Sequence, residues 1–287
     1  MSAGRARRAE SQPVATVTAT GRARLMPDID RPGAMLLTLD ETPQSYVDPH
    51  DPMRLEFEYV RRIAHLADLA FPPRERIDAL HLGAGALSLA RYIAHTRAGS
   101  RQLAVEIDGP LADFVREHLP WDRRWRLRLR VADARDALAS RKARSADLIV
   151  SDVFAGARTP AHLTSVEYVT LAATVLRESG VYAVNLADGS ALAFARAQAA
   201  TVRAVFPHAA LIAEPSVLRG RRFGNLVLAG AQVPLPVQEL ARRCAADPFP
   251  ARVTSGAELD AWIAGALPVT DATALPSPEP PPGAFEL

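Results

Sequence analysis

The sequence predicts an α/β fold in which a parallel or mostly parallel sheet follows a small N-terminal β-rich piece. From residue 76 onwards, short apolar runs of strand length alternate with segments of helical length. These runs are apolar throughout, as expected of strands covered by helices on both faces. The first run leads into a glycine-containing turn, His81-Leu-Gly-Ala-Gly85, and a helical segment follows it.

Each element of this alternation is bounded by a change in hydrophobic period or by turn residues. The predicted strands are 77–82, 102–107, 127–131, 148–150, 181–186, 210–214 and 225–229. The predicted helices between them are 86–96, 110–118, 134–140, 165–178 and 190–205. A short helix at 235–245 and a strand–helix unit at 252–266 complete the α/β part.

Composition and periodicity divide the chain into four segments. Residues 1–20 are small, polar and basic, and are predicted to be a disordered tail. Residues 21–70 form a β-hairpin piece followed by an amphipathic gating helix, predicted at 52–69. Residues 71–267 form the α/β domain, and the proline-rich residues 268–287 are predicted to be a second disordered tail.

Composition also limits the class of protein. The 287 residues include 34 basic and 32 acidic side chains and are 48% hydrophobic, as in ordinary globular proteins. The single cysteine, Cys244, excludes an intrachain disulfide and a cysteine-rich zinc site. No apolar run approaches the ~20 residues of a membrane span, and no secretory signal is visible. We therefore expect a cytoplasmic protein with no membrane partner.

Three successive strand ends carry residues suited to binding a nucleoside. Gly83 and Gly85 permit a tight turn and a close approach of a ligand. Glu106 follows Gly85 at about the ~20-residue spacing of a ribose-binding carboxylate. Asp133 follows the third strand and is placed to accept from the adenine amine. This order is typical of the Rossmann-like sheet of S-adenosylmethionine methyltransferases; the alternative is a set of ordinary strand-ending turns.

The sequence resembles the spermidine synthase (polyamine aminopropyltransferase) family over about residues 35–232, as a diverged bacterial member. The segments that carry the resemblance are Leu37-Thr-Leu-Asp-Glu-Thr-Pro-Gln44, Val105-Glu-Ile-Asp108, Val131-Ala-Asp-Ala134, Leu148-Ile-Val-Ser-Asp152 and His162-Leu-Thr-Ser-Val-Glu-Tyr168. The resemblance implies that Gln44 contacts the nucleoside, that Glu106 binds the ribose, and that Asp133 with Ala134 holds the adenine. It also makes Asp152 the catalytic acid that orients and deprotonates the attacking amine. The alternative role for Asp152 is to cap its own loop.

The resemblance further implies the reaction and its ligands. In that family an amine such as putrescine attacks the aminopropyl carbon of decarboxylated S-adenosylmethionine, and methylthioadenosine leaves. We therefore expect a small-molecule amine substrate, decarboxylated S-adenosylmethionine as co-substrate (or S-adenosylmethionine or methylthioadenosine as a related ligand), and a homodimer. No metal is expected, because His81 and His95 have no partner at metal-ligand spacing.

The sequence departs from the family at positions that normally hold cations. Ala86 replaces an aspartate of the glycine loop that meets the aminopropyl amine, and Ala155 replaces a second aspartate of the catalytic loop. The usual tyrosine and histidine of the gating helix have Leu55 and Arg61 as their nearest matches. Candidates to replace the missing carboxylates are Asp48, Asp51, Glu56, Glu58 and Asp188.

Three functions remain open from the sequence. The first is an aminopropyltransferase with a diverged acceptor pocket, which the hairpin and the gating helix favour. The second is an S-adenosylmethionine-dependent methyltransferase on the same scaffold, which Ala86 favours because it removes a partner of the decarboxylated co-substrate. The third is a non-catalytic nucleoside-binding homologue, which the loss of carboxylates favours.

A basic stretch lies before and along the third strand of the predicted sheet. Arg124, Arg126, Arg128 and Arg130 recur with a period of two, which places them on one face. Such a row suits an RNA or an acidic partner, and equally a solvated edge strand that resists further pairing. We interpret it as an edge strand and expect no nucleic-acid partner.

Overall fold

The computed structural model describes residues 12–281 and 284, and two sheets lie within them. The first is a four-stranded antiparallel sheet, in which each strand pairs with the next. Its strands are β1 (Val14–Val17), β2 (Arg22–Pro27), β3 (Met35–Leu39) and β4 (Thr42–Val47). Leu25, Leu37 and Val47 share a buried cluster with Ala86 and Phe114 of the second sheet's domain. The expected β-rich N-terminal piece is therefore packed directly on the α/β part.

The helix predicted at 52–69 is α1 (Glu58–Ala70), and it begins six residues later than expected. The preceding residues form turns, in which the amide of Asp51 donates to the carbonyl of Asp48. Tyr59, Ile63 and Leu66 form the buried stripe of α1, which packs against the second sheet.

The second sheet has eight strands in the order β12-β10-β11-β9-β8-β5-β6-β7. The strands are β5 (Asp78–Leu82), β6 (Arg101–Glu106), β7 (Arg126–Val131), β8 (Ala146–Ser151), β9 (Leu176–Asp188), β10 (His208–Ala213), β11 (Gly224–Ala231) and β12 (Arg252–Ser255). Each predicted strand is present. The sheet ends at β7, whose Arg126, Arg128 and Arg130 are exposed, so the interpretation of this stretch as a solvated edge strand is confirmed.

The sheet is parallel in one half and antiparallel in the other. Parallel pairs join β5 to β6 and β8, β6 to β7, and β8 to β9. β11 lies antiparallel to β9 and β10, and β12 lies antiparallel to β10. The link 214–223 between β10 and β11 holds only a short helix, α7 (Pro215–Leu218), which is too small for the crossover of a parallel pair. The expectation of a mostly parallel sheet thus holds for the five neighbouring strands β9, β8, β5, β6 and β7.

Helices cover both faces of the second sheet, as the apolar strands require. The further helices are α2 (Ser88–Thr96), α3 (Gly109–His118), α4 (Ala134–Ala139), α5 (Val166–Val175), α6 (Ala193–Val205), α8 (Val237–Ala245) and α9 (Gly256–Ile263). One buried cluster joins the sheet to α4, α5, α6 and α9, and the other joins it to α1, α2 and α8. Within the described residues, none of these helices has both the length and the apolar character needed to span a bilayer.

The expectation of disordered tails is wrong where the structure describes them. Residues 14–17 form β1, and Thr20 donates to Asp108 through its amide at 2.9 Å and its hydroxyl at 2.6 Å. At the other end, Asp271 pairs with Arg135 and Ser277 is fully buried. The proline-rich C-terminal segment forms no β-ladder, but its side chains and carbonyl groups make ion pairs and hydrogen bonds to the α/β domain. The remaining tail residues, 1–11, 282, 283 and 285–287, lie outside the described part.

Candidate active site

The turn after β5 joins the ends of two neighbouring strands. Gly83 has φ +84°, and a Cβ there would lie 1.9 Å from the backbone oxygen of Asp152. A hydrogen bond joins the same two segments: the amide of Asp152 donates to the carbonyl of Leu82 at 2.7 Å. Only glycine permits this approach, so Gly83 holds the chain after β8 against the glycine loop.

The second glycine of the turn contacts the N-terminal sheet. Gly85 has φ +47°, and a Cβ there would lie 2.4 Å from the hydroxyl oxygen of Ser45 on β4. The amide of Ala86 donates to that oxygen, and the hydroxyl of Ser88 donates to the carbonyl of Tyr46. The sequence assigned both glycines to ligand approach; the structure shows that protein groups are the near neighbours of both.

Glu106 ends β6 beside the same turn. Its two carboxylate oxygens accept from the amides of Ala84 and Asp108, each at 3.2 Å. Burial raises the pKa of Glu106 despite these hydrogen bonds. A carboxylate has about four lone-pair positions, so the two anchored oxygens are oriented and still able to accept from a diol.

Asp133 follows β7 and caps α4. Its Oδ1 accepts from the amides of Arg135 and Asp136, and its Oδ2 accepts from Nε2 of His162 at 2.9 Å. Burial is the largest influence on Asp133 and acts to raise its pKa, but these hydrogen bonds outweigh it and the pKa lies below its usual range. Ala134, the first residue of α4, is buried.

Two exposed apolar side chains lie at the ends of β6 and β7, and sequence reasoning missed both: Ile107 follows β6, and Val131 is the last residue of β7. Ile107 is 58% exposed and Val131 is 47% exposed, although both are large and apolar. Glu106 and Val131 are register partners across the two strands, so this apolar surface lies beside the Glu106 carboxylate. The signal in the sequence was an apolar residue at a strand end where a turn residue is usual.

Asp152 is held by two neutral side chains. Nδ2 of Asn185 on β9 donates to its Oδ1 at 2.9 Å, and the phenol of Tyr59 is its second hydrogen-bond partner. Burial raises the pKa of Asp152 against these two hydrogen bonds, and the charge of Glu106 adds to the rise. A half-buried carboxylate with a raised pKa that lines a cavity has the properties of a general base.

Tyr59 corrects the expectation for the gating helix. The family resemblance makes Leu55 and Arg61 the nearest matches to the family's tyrosine and histidine, whereas the structure brings Tyr59 to Asp152. Burial, and next the charge of Asp152, raise the pKa of Tyr59 well above its usual range, so the phenol stays neutral and donates. Its position in the apolar stripe of α1 had suggested a core residue only.

Comparisons with known proteins decide the family. No protein-family model matches the chain. A curated polyamine aminopropyltransferase from Vibrio vulnificus is 33% identical over 164 residues, and the match covers 56% of this chain but only 52% of that relative. The crystal structure of a probable spermidine synthase from Corynebacterium glutamicum is 31% identical, with a TM-score of 0.85 over 91% of this chain and 97% of that one.

The chain belongs to the spermidine synthase family. The spermidine synthase of Thermotoga maritima shares the fold at 15% identity, with a TM-score of 0.59 over 81% of this chain and 77% of that one. Human methyltransferase-like protein 13 shares it at 21% identity, with a TM-score of 0.51. The Rossmann-like, methyltransferase-type sheet with a separate antiparallel N-terminal sheet is therefore confirmed.

Within this spermidine synthase fold, Tyr59 lines two adjacent cavities. The smaller, of about 40 Å³, also reaches Ser45, Gly83 and Asp152. The larger, of about 380 Å³, is lined by Tyr59, Gln44 and Asn185. Its aromatic wall consists of Phe57, Phe154, Phe223 and Phe249. Gln44, expected against the nucleoside, therefore lies on the larger cavity, where its Nε2 is 3.4 Å from the carbonyl of Thr42.

The candidate replacements for the family's missing carboxylates separate into two groups. Glu56 lines the smaller cavity and Glu58 the larger one. Asp48 and Asp188 instead accept hydrogen bonds from nearby backbone amides, and Asp51 is half-buried and lies 4.0 Å from Arg31. Glu58 has no ion pair within the residues that the structure describes, whereas Glu56 pairs with Arg54 at 2.7 Å.

The catalytic-loop segment after Asp152 is fastened by the C-terminal segment. Ala155 and Arg158 pair through their backbones, and Ala155 itself is exposed. The hydroxyl of Ser277 accepts from the amide of Thr159 at 2.8 Å, and Nε of Arg158 donates to the carbonyl of Ser277 at 2.6 Å. A segment predicted to be a free tail thus contacts the loop beside the candidate base.

Metal ligation has no support in the described part of the chain. Among residues 12–281 and 284, no group of three or more histidine, cysteine, aspartate or glutamate side chains is placed to hold a metal ion. His81 is buried, and its Nε2 lies 2.9 Å from Oε1 of Gln102.

Proposed function

We propose that this chain transfers the aminopropyl group of decarboxylated S-adenosylmethionine to an amine, with Asp152 as the general base. The observation that carries the proposal is the position of Asp152: it is half-buried, held by Asn185 and Tyr59, and in contact with the glycine loop. Membership of the spermidine synthase family supplies the reaction class.

Three groups at the carboxyl edge of the sheet are suited to the adenosyl part of the co-substrate. The Glu106 carboxylate accepts from the ribose diol, and the apolar side chains of Ile107 and Val131 flank the adenine. Asp133 keeps lone pairs for the adenine amine, although His162 already donates to it. The crystal structure of a spermidine synthase with the transition-state analogue AdoDATO concerns a relative that shares the fold at 15% identity.

The chemical step is a displacement at carbon. The acceptor nitrogen forms a bond to the aminopropyl carbon, the bond from that carbon to the sulfonium sulfur breaks, and the electron pair remains on sulfur. Methylthioadenosine leaves as a neutral thioether. Asp152 takes the proton that the nitrogen loses, and its raised pKa makes it a stronger base than an exposed carboxylate.

The acceptor occupies the larger cavity in this proposal. Ala155 stands where the family has an aspartate that binds the substrate amine, and the larger cavity is lined by four phenylalanines. Aromatic faces attract ammonium groups less strongly than a carboxylate does. Of the two carboxylates on the wall, Glu214 is paired with Arg222 at 2.8 Å, so Glu58 is the one that binds the distal ammonium of a diamine.

The test is a chromatographic assay for methylthioadenosine released from decarboxylated S-adenosylmethionine. Putrescine and a monoamine of the same length are compared as acceptors for wild type and Glu58→Gln. We expect release with both, and a rise in KM for putrescine of about tenfold in the variant, because one charge-assisted contact is lost. The KM for the monoamine should not change.

Two other results, one with S-adenosylmethionine as the donor and one from binding measurements, would replace the proposal. Transfer of a methyl group from S-adenosylmethionine would make the chain a methyltransferase, which Ala86 allows because it removes a partner of the aminopropyl amine. Binding of methylthioadenosine without turnover of any amine would make it a non-catalytic nucleoside-binding homologue.

A further inference from the structure

A basic groove lies at the edge of the second sheet opposite the candidate active site. The parallel strands β5, β6, β7 and β8 all begin there, whereas Glu106, Asp133 and Asp152 follow their ends. The groove has a volume of about 820 Å³ and is bounded by the turn before β7 and by the loop before β8. It is therefore separate from the nucleoside and acceptor cavities.

The two acids at this edge are already neutralised. The Asp78 carboxylate accepts from Arg101 at 2.6 and 2.5 Å and from Arg177 at 2.8 Å. Arg177 also pairs with Asp147 at 2.8 Å. Among the described residues that line the groove, these ion pairs leave no unpaired carboxylate to balance its other cations.

Six further cations line the groove and have no side-chain partner in the described part of the chain. They are Arg123, Arg126, Arg128, Arg141, Lys142 and Arg144. Arg126 and Arg128 project from one face of the edge strand β7, because their positions differ by two. The other side of the groove is formed by the loop that carries Arg141 and Arg144.

The loop before β8 lies against the groove, and two of its polar atoms are buried without a partner among the described residues. Nε of Arg141 and the hydroxyl of Ser145 are shielded from solvent and make no hydrogen bond. The loop that carries them is fixed by backbone hydrogen bonds from Arg144 to Thr174 and from Ser145 to Val175, with Arg144 at φ +52°. Both atoms are covered by protein, so they do not face the open groove; the fixed loop instead places the cations Arg141 and Arg144 on the groove wall.

We propose that this groove binds a compact polyphosphate anion, either free triphosphate or the phosphate chain of a nucleotide. Guanidinium groups bind phosphate oxygens through two parallel hydrogen bonds, and six unpaired cations around one space repel each other unless an anion lies between them. The volume falls within the ~300–1,000 Å³ of small-molecule sites, which suits a compact ligand better than an extended strand of nucleic acid. Trp125, also on the groove, offers a surface on which a base can stack.

The test is a calorimetric titration of the purified chain with inorganic triphosphate at about 50 mM salt, where screening is modest. Arg126→Gln and Arg141→Gln are compared with Arg130→Gln, the matched control, which lies on the same exposed face of β7 but does not line the groove. We expect one triphosphate per chain, about tenfold weaker binding in each of the first two variants, and unchanged binding in the control.

A second titration, with ATP, separates the two sources of the phosphate chain. A nucleotide is identified if ATP binds more tightly than triphosphate and this difference disappears in Trp125→Ala. Equal affinity for ATP and triphosphate would identify free polyphosphate. The melting temperature of each variant shows whether it is folded. The proposal is overturned if millimolar triphosphate does not bind, if Arg130→Gln weakens binding as much as Arg126→Gln, or if a single-stranded oligonucleotide binds more tightly than either probe.

Discussion

Replacing Asp152 with asparagine separates the effect of this carboxylate on turnover from its effect on the stability of the fold. Asparagine has nearly the same shape and keeps an oxygen that accepts from Asn185, whose Nδ2 lies 2.9 Å from Oδ1 in wild type. It cannot take a proton from the acceptor amine. We therefore expect turnover to fall about 10²–10⁴-fold, the usual contribution of a general base, while the affinity for methylthioadenosine is unchanged.

The same substitution is expected to stabilise the fold near neutral pH. Because burial raises the pKa of Asp152 in the folded chain, ionising it there costs about 1.4 kcal/mol for each unit of that rise. For a chain of this size, about 1 kcal/mol shifts the melting temperature by about 2 °C. Asp152→Asn should therefore melt above wild type while being almost inactive.

The sign of the pH dependence follows from the raised pKa. Below the pKa of the unfolded chain, the carboxyl is protonated in both states and wild type carries no penalty. As the pH rises through the higher pKa of the folded chain, ionisation of Asp152 lowers the free energy of unfolding of wild type. The gain in melting temperature of Asp152→Asn over wild type should therefore grow from acid to neutral pH. Over the same range, wild-type turnover should rise, because only the ionised form accepts a proton.

Asp188→Asn is the matched control for both measurements. Like Asp152, Asp188 has a pKa raised by burial, but its oxygens accept from the amides of Gly189 and Ala195, away from Asp152. Turnover is followed as methylthioadenosine release, and melting by scanning fluorimetry at matched pH values. The reasoning is refuted if Asp152→Asn retains wild-type turnover, if it melts below wild type at neutral pH, or if the control loses turnover to the same extent.

Three further substitutions test the contacts around the site. Gly83→Ala should lower the melting temperature, because its Cβ would lie 1.9 Å from the backbone oxygen of Asp152; an unchanged scanning-fluorimetry midpoint would contradict this geometry. Tyr59→Phe removes a hydrogen bond that favours ionised Asp152, so the acid limb of the pH–rate profile should move to higher pH with nucleoside affinity retained; an unmoved limb would remove Tyr59 from the site. Asp271→Ala breaks the ion pair with Arg135 at 2.6 Å, so limited proteolysis followed by mass spectrometry should show faster cleavage after residue 267; equal rates would contradict a fastened C-terminal segment.

The alternation of strands and helices could be predicted from sequence because it depends on local period. Each buried strand is apolar over its whole length, so its centre is visible without knowledge of its neighbours. The order of strands and the antiparallel direction of β10, β11 and β12 are set by which strands pair. That information lies in contacts between distant segments, and no local pattern carries it.

The predicted site residues also divide into those that a local sequence pattern indicates and those that depend on contacts between distant segments. Glu106 was predicted from its spacing after Gly85, and Asp152 from the family resemblance; parallel pairing brings the ends of their strands to one edge of the sheet. Tyr59 was missed because its spacing on α1 is that of a core residue, and only the docking of α1 on the sheet turns the phenol toward Asp152. Gln44 was placed by resemblance alone, and the structure puts it on the larger cavity.

The glycine loop shows that a motif predicted to bind a ligand can also be required by contacts within the protein. Glycine at a strand end is usually explained by a ligand, yet the nearest atom to a Cβ at Gly83 is the carbonyl oxygen of Asp152. The loop and the candidate base therefore cannot move independently: any side chain at Gly83 displaces the backbone that positions the Asp152 carboxylate. Loss of activity in a glycine-loop variant would thus reflect a displaced base as much as a lost nucleoside contact. The two are distinguished only when turnover and methylthioadenosine affinity are measured on the same variant.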